Sequence, residues 1–262
     1  MKCSVSAALC FVAVLHAGQD PAQWSLAQKE HFLLTADIVS EQYAGKGVTN
    51  SQKAMLTDGT VSHAAHIQTI DIYRPLFHGR SGSTEPDFKD CWKFNVAAYR
   101  LAKLLGLTDM TPVSVERIIN GTPAAVTWWV DGVLMDDRER VSRNIHPPDV
   151  EHWNYQVNTI RAFDALIYNT DRSQDNLLID THWHLWMIDH TRAFRKWKTL
   201  RNPAMLAQCP LGMLIALETL RREDVERQLG PFLTPEEIDG LMARRDLIVE
   251  QVKMQTTAAA AH

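Results

Sequence analysis

Three polar side chains in one short stretch have the types and spacing that phosphoryl transfer needs. Asp171 and Asn176 stand five residues apart in Asn169-Thr170-Asp171-Arg172-Ser173-Gln174-Asp175-Asn176, and Asp189 follows thirteen residues later at the end of an apolar run. Moving a phosphoryl group to a hydroxyl takes a carboxylate to orient the hydroxyl and accept its proton, together with oxygen ligands for a magnesium ion that neutralises the phosphates. Asp171 suits the first task, and Asn176 and Asp189 the second. Asp and Asn are also ordinary turn residues, so the surrounding elements decide between chemistry and a plain turn.

Read as Asp171-Arg172-x-x-x-Asn176 and Ile188-Asp189-His190-x-x-Ala193-Phe194, the stretch resembles the catalytic domain of phosphatidylinositol 3- and 4-kinases. HipA-like kinases and kinases of the secretory pathway share the pattern. The resemblance implies a two-lobed α+β fold with a small N-terminal lobe, built from an antiparallel sheet and one helix, and a larger, mostly helical C-terminal lobe. It implies Mg-ATP between the lobes, Asp171 as the base, and Asn176 and Asp189 as magnesium ligands. It runs by motif from Gly45 to Trp197 and beyond that only by helical character.

The elements needed to hold such a site are legible. Apolar residues at Trp153, Val157, Ile160, Phe163 and Ile167 predict a long helix ending at Asn169, and His182 to Ile188 predicts a strand leading into Asp189. Helix, loop and strand is the order the motif requires. A strand would put His182 and His184 on one face, where two histidines are a weak zinc signal; Asp180 reads as a turn residue.

Upstream, Ala54 to Leu56 and Ala64 to Asp71 flank Asp58-Gly59 and predict a hairpin. The resemblance makes this hairpin the cover of the nucleotide phosphates, with Gly45 and Gly47 in a phosphate loop and a gripping lysine on the second strand. That position is held by Gln68. Apolar residues at 94, 97, 98, 101, 104 and 105 predict a helix from Cys91 to Leu105 ended by Gly106, and the position that brings a glutamate to the lysine is held by Asn95.

Two neutral amides therefore replace an ion pair. Removing one partner of a buried pair costs about 3–5 kcal/mol, whereas two amides can satisfy each other. The loss weakens the grip on phosphate, because neutral hydrogen bonds are about half as strong as charge-assisted ones. Lys46, Lys53 and Lys93 are the nearest substitute cations in sequence. The departure leaves two alternatives to an active kinase: a binding or scaffold module that kept the fold, or transfer of AMP by the same fold.

Pro112 to Ile119 and Thr122 to Val130 flank Asn120-Gly121 and predict a second hairpin completing the small-lobe sheet. The next segment, Val130 to Val133, falls where the resemblance joins the lobes and meets the nucleotide base, with Trp129 and Asp131 as nucleotide-binding candidates; aromatic residues on a strand also serve a core. Trp24 to Tyr43 predicts a packing helix. Asp136 to Arg143 reads as a solvated charged run, Pro210 to Leu229 as helix, Thr234-Pro235-Glu236-Glu237 as a capped helix start, and Thr256 to His262 as a frayed tail.

The chain of 262 residues, 45% apolar and 22% charged with a net charge of −4, can bury a sizeable core. That balance excludes a strongly basic binder of nucleic acid or anionic membrane. Lys2 followed by Ser4 to Leu15 reads as a secretory signal over residues 1–18, too short to span a bilayer. The division is then residues 1–18 as signal, 19–131 as N-terminal helix and small lobe, and 132–262 as large lobe, in a secreted or periplasmic protein. Cleavage would leave only Cys91 and Cys209, too few for a disulfide framework. The acceptor hydroxyl has no signature.

Overall fold

Alternation of small apolar and polar side chains organises the small lobe. In β2 (Gln52–Thr57) and β3 (Ser62–Gln68), Ala54, Leu56, Ala65 and Ile67 are buried on one face, leaving Lys53, His66 and Gln68 on the other. The Asp58-Gly59 turn joins them, with Asp58 Oδ1 accepting from the amides of Thr60 and Val61. The computed structural model describes residues 20–43, 51–79, 82 and 84–260. The signal segment 1–18 and the Gly45/Gly47 loop lie outside the described residues.

The predicted helix over Trp24 to Tyr43 is two elements. Helix α1 (Leu26–Thr35) starts with a capping box between Ser25 and Gln28. It stops where Ala36 turns extended (φ −64°, ψ 144°), and the β-branched pair Ile38-Val39 enters strand β1 (Asp37–Tyr43), which pairs with β2. Strands β6 (Ser114–Ile119) and β7 (Thr122–Trp128) meet at Asn120-Gly121, whose φ values of 50° and 79° fit the type I′ turn that the dipeptide predicts. The sheet order is β1-β2-β3-β7-β6. Helix α1 closes one face, packing Trp24, Phe32 and Leu33 on Val115, Val126 and Trp128; burying side chains of this size stabilises by about 1.5–3 kcal/mol each.

Helix α2 (Lys93–Leu105) ends as its sequence predicts, at Gly106 in the left-handed region (φ 71°). From it, Tyr99 Oη and Lys103 Nζ both donate to Glu30 Oε1 at 2.7 Å, tying α2 to α1. Burial pushes the Glu30 carboxyl up, but these two bonds outweigh it and hold the group below the ordinary glutamate range. A depressed folded value contributes stability that is present above the unfolded pKa, near 4.3, and is lost as pH falls through the folded value. Glu30→Gln is therefore expected to cost about 1 kcal/mol at pH 7 and markedly less near pH 3 in denaturant titrations. An equal cost at both pH values would refute the ionised pair.

Between β3 and α2 the chain forms a ribbon, and the strand predicted from Ala64 to Asp71 runs only into its first residue. Gln68 ends β3 because its Oε1 accepts from the amides of Thr69 and Ile70, at 3.1 and 3.3 Å, and turns the backbone. Strands β4 (Asp71–His78) and β5 (Thr84–Cys91) then pair as a separate two-stranded sheet.

A three-stranded sheet of β8 (Val133–Asp136), β9 (Leu177–Asp180) and β10 (Leu185–Met187) opens the large lobe. The predicted strand over His182 to Ile188 is shorter, because Asp180 Oδ1 accepts from the amides of His182 and His184 and keeps both in a turn. Helix α4 (Val150–Ile167) forms as predicted, N-capped by Asp149. The charged run is not simply solvated: it is helix α3 (Asp137–Ser142), in which buried Asp137 pairs with Arg140, and Arg140 lies over the Trp153 ring.

The helix predicted from Pro210 to Leu229 breaks into α5 (Leu211–Thr219) and α6 (Arg222–Leu229), since Leu220 turns extended to bury its side chain. Helix α7 (Pro235–Ala260) continues through the alanines read as a frayed tail, in keeping with alanine's helix propensity. No helix among the described residues is long and apolar enough to cross a membrane. Cys91 and Cys209 are free thiols, which burial pushes up to about 12 and about 11.

Candidate catalytic site

The loop after α4 is held by a chain of side-chain bonds that begins on the helix itself. Tyr168 leaves the helix in the left-handed region (φ 52°), and Asn169 then spans the turn, its Nδ2 donating to Asp164 Oδ1 and its Oδ1 accepting from the Asp171 amide at 3.0 Å. Arg172 is the centre of the knot. Its Nε and Nη2 donate to the two Asp164 oxygens at 2.9 and 3.0 Å, and its Nη1 donates to the carbonyls of Asn176 (3.0 Å) and Ile188 (2.7 Å).

One guanidinium thus joins the segment that carries Asn176 to the residue that precedes Asp189. The backbone closes the same junction through Ile188 N to Asn176 O at 3.1 Å, and Asn176 Nδ2 donates to the Asp171 carbonyl at 3.2 Å. Asp171, Asn176 and Asp189 are thereby brought to one place. The Asp171 side chain is 53% exposed.

Asp189 adopts φ 55°, a conformation rare for a side-chain-bearing residue and costing of order 1–3 kcal/mol. Its neighbours enforce it: Thr191 Oγ1 donates to Asp189 Oδ1 at 2.9 Å, and the His190 amide donates to Asn95 Oδ1 at 2.8 Å. Asn95, at the start of α2, therefore ties that helix to the backbone beside Asp189. His190 itself is fully buried, and burial aided by the Arg172 charge holds its ring well below the ordinary histidine range, hence neutral.

Long-range packing adds residues that the sequence reading missed. Asp90, near the end of β5, is buried with Oδ1 lacking a hydrogen-bond partner. Burial pushes its carboxyl up, and the charges of Asp189 and Asp171 push it further against the pull of Thr191 and Arg192. Arg192 Nη1 lies 3.1 Å from Asp171 Oδ1, and its Nη2 donates to Glu85 Oε2 of β5 at 2.9 Å. Only the order of charges in the ribbon hinted at these contacts; nothing local could assign them.

The small-lobe candidates are placed as follows. Gln68 is buried at the end of β3 with its amide oxygen engaged by backbone. His66, two residues earlier on the same face, shares a hydrogen bond with Ser51; burial holds it below the ordinary histidine range although the Asp189 charge pulls it up. His66 is thus the β3 side chain that feels Asp189. Lys53 on β2 lies over the Trp129 ring, 4.2 Å from its centroid, while Lys93 lies over Trp92. Lys46, Gly45 and Gly47 lie outside the described residues.

Trp129 follows β7 and its amide donates to the Ala64 carbonyl, opposite in direction to Trp128, which belongs to the α1 core. The Asp131 carboxylate accepts from His63 Nε2 (2.8 Å) and Trp128 Nε1 (3.1 Å). Burial raises the Asp131 carboxyl, but those bonds outweigh it and keep it below the ordinary range. A cavity of about 570 Å³ lies on this side, bordered by Lys29, Thr111, Trp128, Asp131, Asp180 and Trp186 among others. None of Asp171, Asn176 and Asp189 borders it.

No family model matches the sequence, and no curated protein matches it. Among solved structures, the fold is similar to that of a proinflammatory kinase of Helicobacter pylori, CtkA, with a TM-score of 0.53 and 10% identity over 86% of this chain and 98% of that one. At that identity the similarity shows a kinase-like fold and nothing finer.

Proposed function

We propose that the chain is a kinase-like phosphotransferase that uses Mg-ATP to phosphorylate a hydroxyl acceptor outside the cytosol, residues 1–18 directing its export. The observation that carries the reading is the Arg172 knot, which gathers an exposed carboxylate, an amide and a second exposed carboxylate at the junction of α4, β9 and β10.

The donor set fits a hard cation, because Asn176 and Asp189 offer oxygen and no nitrogen or sulfur. These two residues would hold magnesium, which when bound neutralises charge on the nucleotide phosphates. Asp171 orients the acceptor hydroxyl and takes its proton. Arg172 fixes the distance between the two segments, and Asn95 fixes α2 against Asp189. Lys53, Trp129 and His66 lie on the sheet face proposed to meet the nucleotide, with Gln68 beside them, whereas the Asp131 carboxylate is engaged on the α1 side by His63 and Trp128.

The test is a calorimetric titration with ATP and magnesium, beside Asp189→Ala. Magnesium-dependent binding is expected in the parent, and about tenfold or greater weakening in the variant, the scale of losing one charge-assisted ligand. Equal affinities would remove Asp189 from the metal site. A second reading, a pseudokinase-type scaffold, is favoured by the amide oxygens of Gln68 and Asn95 being spent on backbone and by a neutral His66 where a fixed cation would serve phosphate. Nucleotide affinity with no group transferred to any acceptor would select it, and an adenylylated product would select AMP transfer.

A further inference from the structure

A chain of alternating charges runs from the ribbon to the candidate base. Buried Arg195 donates through Nε and Nη2 to Glu85 Oε1, at 3.1 and 2.8 Å, and Arg192 donates to Glu85 Oε2 while its Nη1 lies 3.1 Å from Asp171 Oδ1. The Phe88 ring lies beneath both guanidinium groups, at 4.9 and 5.8 Å. Glu85 is thus a carboxylate fixed between two arginines, and it directs one of them at Asp171. A pair that served only to dock the ribbon would not require the second arginine to reach the catalytic loop.

We infer that Arg192 is the cation that meets the transferred phosphoryl group, and that Glu85 is its positioning residue. The inference rests on the phosphotransferase reading above. Arg172, the neighbouring cation, is committed to Asp164 and two carbonyls and has no comparable freedom. Arg192 is partly exposed, and its Nη1 is on the Asp171 side. A planar guanidinium presents several donors in a fixed fork, which suits a phosphoryl group arriving at a hydroxyl beside Asp171. In the step, the bond from γ-phosphorus to the bridging oxygen of ADP breaks, the bond to the acceptor oxygen forms, and the acceptor proton passes to Asp171. Arg192 donates hydrogen bonds to the non-bridging oxygens throughout.

The distinguishing measurement compares calorimetric affinities for ADP and for the β,γ-imido analogue of ATP, both with magnesium. Arg192→Ala is expected to weaken the analogue about tenfold, the loss of a charge-assisted bond, while ADP affinity stays within about twofold. Glu85→Gln is expected to weaken the analogue about three- to fivefold, and to have a smaller effect in the Arg192→Ala background than alone. Arg192→Lys should recover part of the loss. Equal weakening of both nucleotides, no weakening, or additive effects of the two substitutions would overturn the inference while leaving the phosphotransferase reading standing. A folded parent that binds neither nucleotide would overturn both.

Discussion

Asp171→Ala is expected to fold, bind Mg-nucleotide within about threefold of the parent, and lose about a hundred- to ten-thousandfold in phosphoryl transfer, the range for removing a general base. The fold should survive because the Asp171 side chain is more than half exposed and its ion pair with Arg192 is near the surface, where such pairs contribute about 0–1 kcal/mol. The loop holds its shape without the carboxylate: the Asp171 amide still donates to Asn169 Oδ1 and its carbonyl still accepts from Asn176 Nδ2. Turnover of ATP against an acceptor, measured beside nucleotide affinity, separates the two roles. Unchanged turnover would remove Asp171 from the mechanism, and loss of binding together with turnover would make it a structural residue.

The second large effect is on stability. Arg244, in α7, is completely buried, and it donates to the carbonyls of Leu166 at the end of α4, of Arg195 at 2.8 Å, and of Trp197. Burial pushes its guanidinium down to about 9, which still leaves it charged at neutral pH. It therefore clamps the helix before the catalytic loop to the segment after Asp189. One turn earlier, Gly240 admits that segment: a Cβ there would lie 2.8 Å from the Lys196 carbonyl group.

Arg244→Ala leaves these carbonyls unpaired in an apolar interior, each costing about 1–3 kcal/mol, and is expected to destabilise by about 3–5 kcal/mol. Against a typical margin of about 5–15 kcal/mol this is a large fraction, visible as a lower denaturant midpoint. Arg244→Lys should recover little, because an ammonium cannot spread donors over the same fork. A cost below about 1 kcal/mol for the alanine variant would show that the clamp is dispensable.

These two sites divide the protein along the line between what its sequence specifies locally and what it does not. The amino-acid order alone determined β2, β3, β6 and β7, because Asp58-Gly59 and Asn120-Gly121 demand turns at fixed places and strand alternation does the rest. It determined α4 and α2 through their apolar spacing and the left-handed stop at Gly106. It placed Asp171, Asn176 and Asp189 at distances along the chain that a helix, loop and strand can fold onto one point. The end of α1 was not legible, since the Ile38-Val39 apolar pair continues a helical spacing that backbone pairing with β2 overrides.

Tertiary structure decided the rest, because the interactions concerned join residues far apart in sequence. Glu85 and Arg195 stand 110 positions apart, and Arg244 and Leu166 78 apart. Gln68 was read by analogy with a lysine, yet whether its amide faces a ligand or its own backbone depends on a turn that only folding fixes. Arg192 is an unassigned position in the Ile188-Asp189-His190-x-x-Ala193-Phe194 motif. Its meeting with Asp171 on one side and Glu85 on the other comes from the ribbon packing along the chain after Asp189, and no periodicity in either stretch encodes that contact.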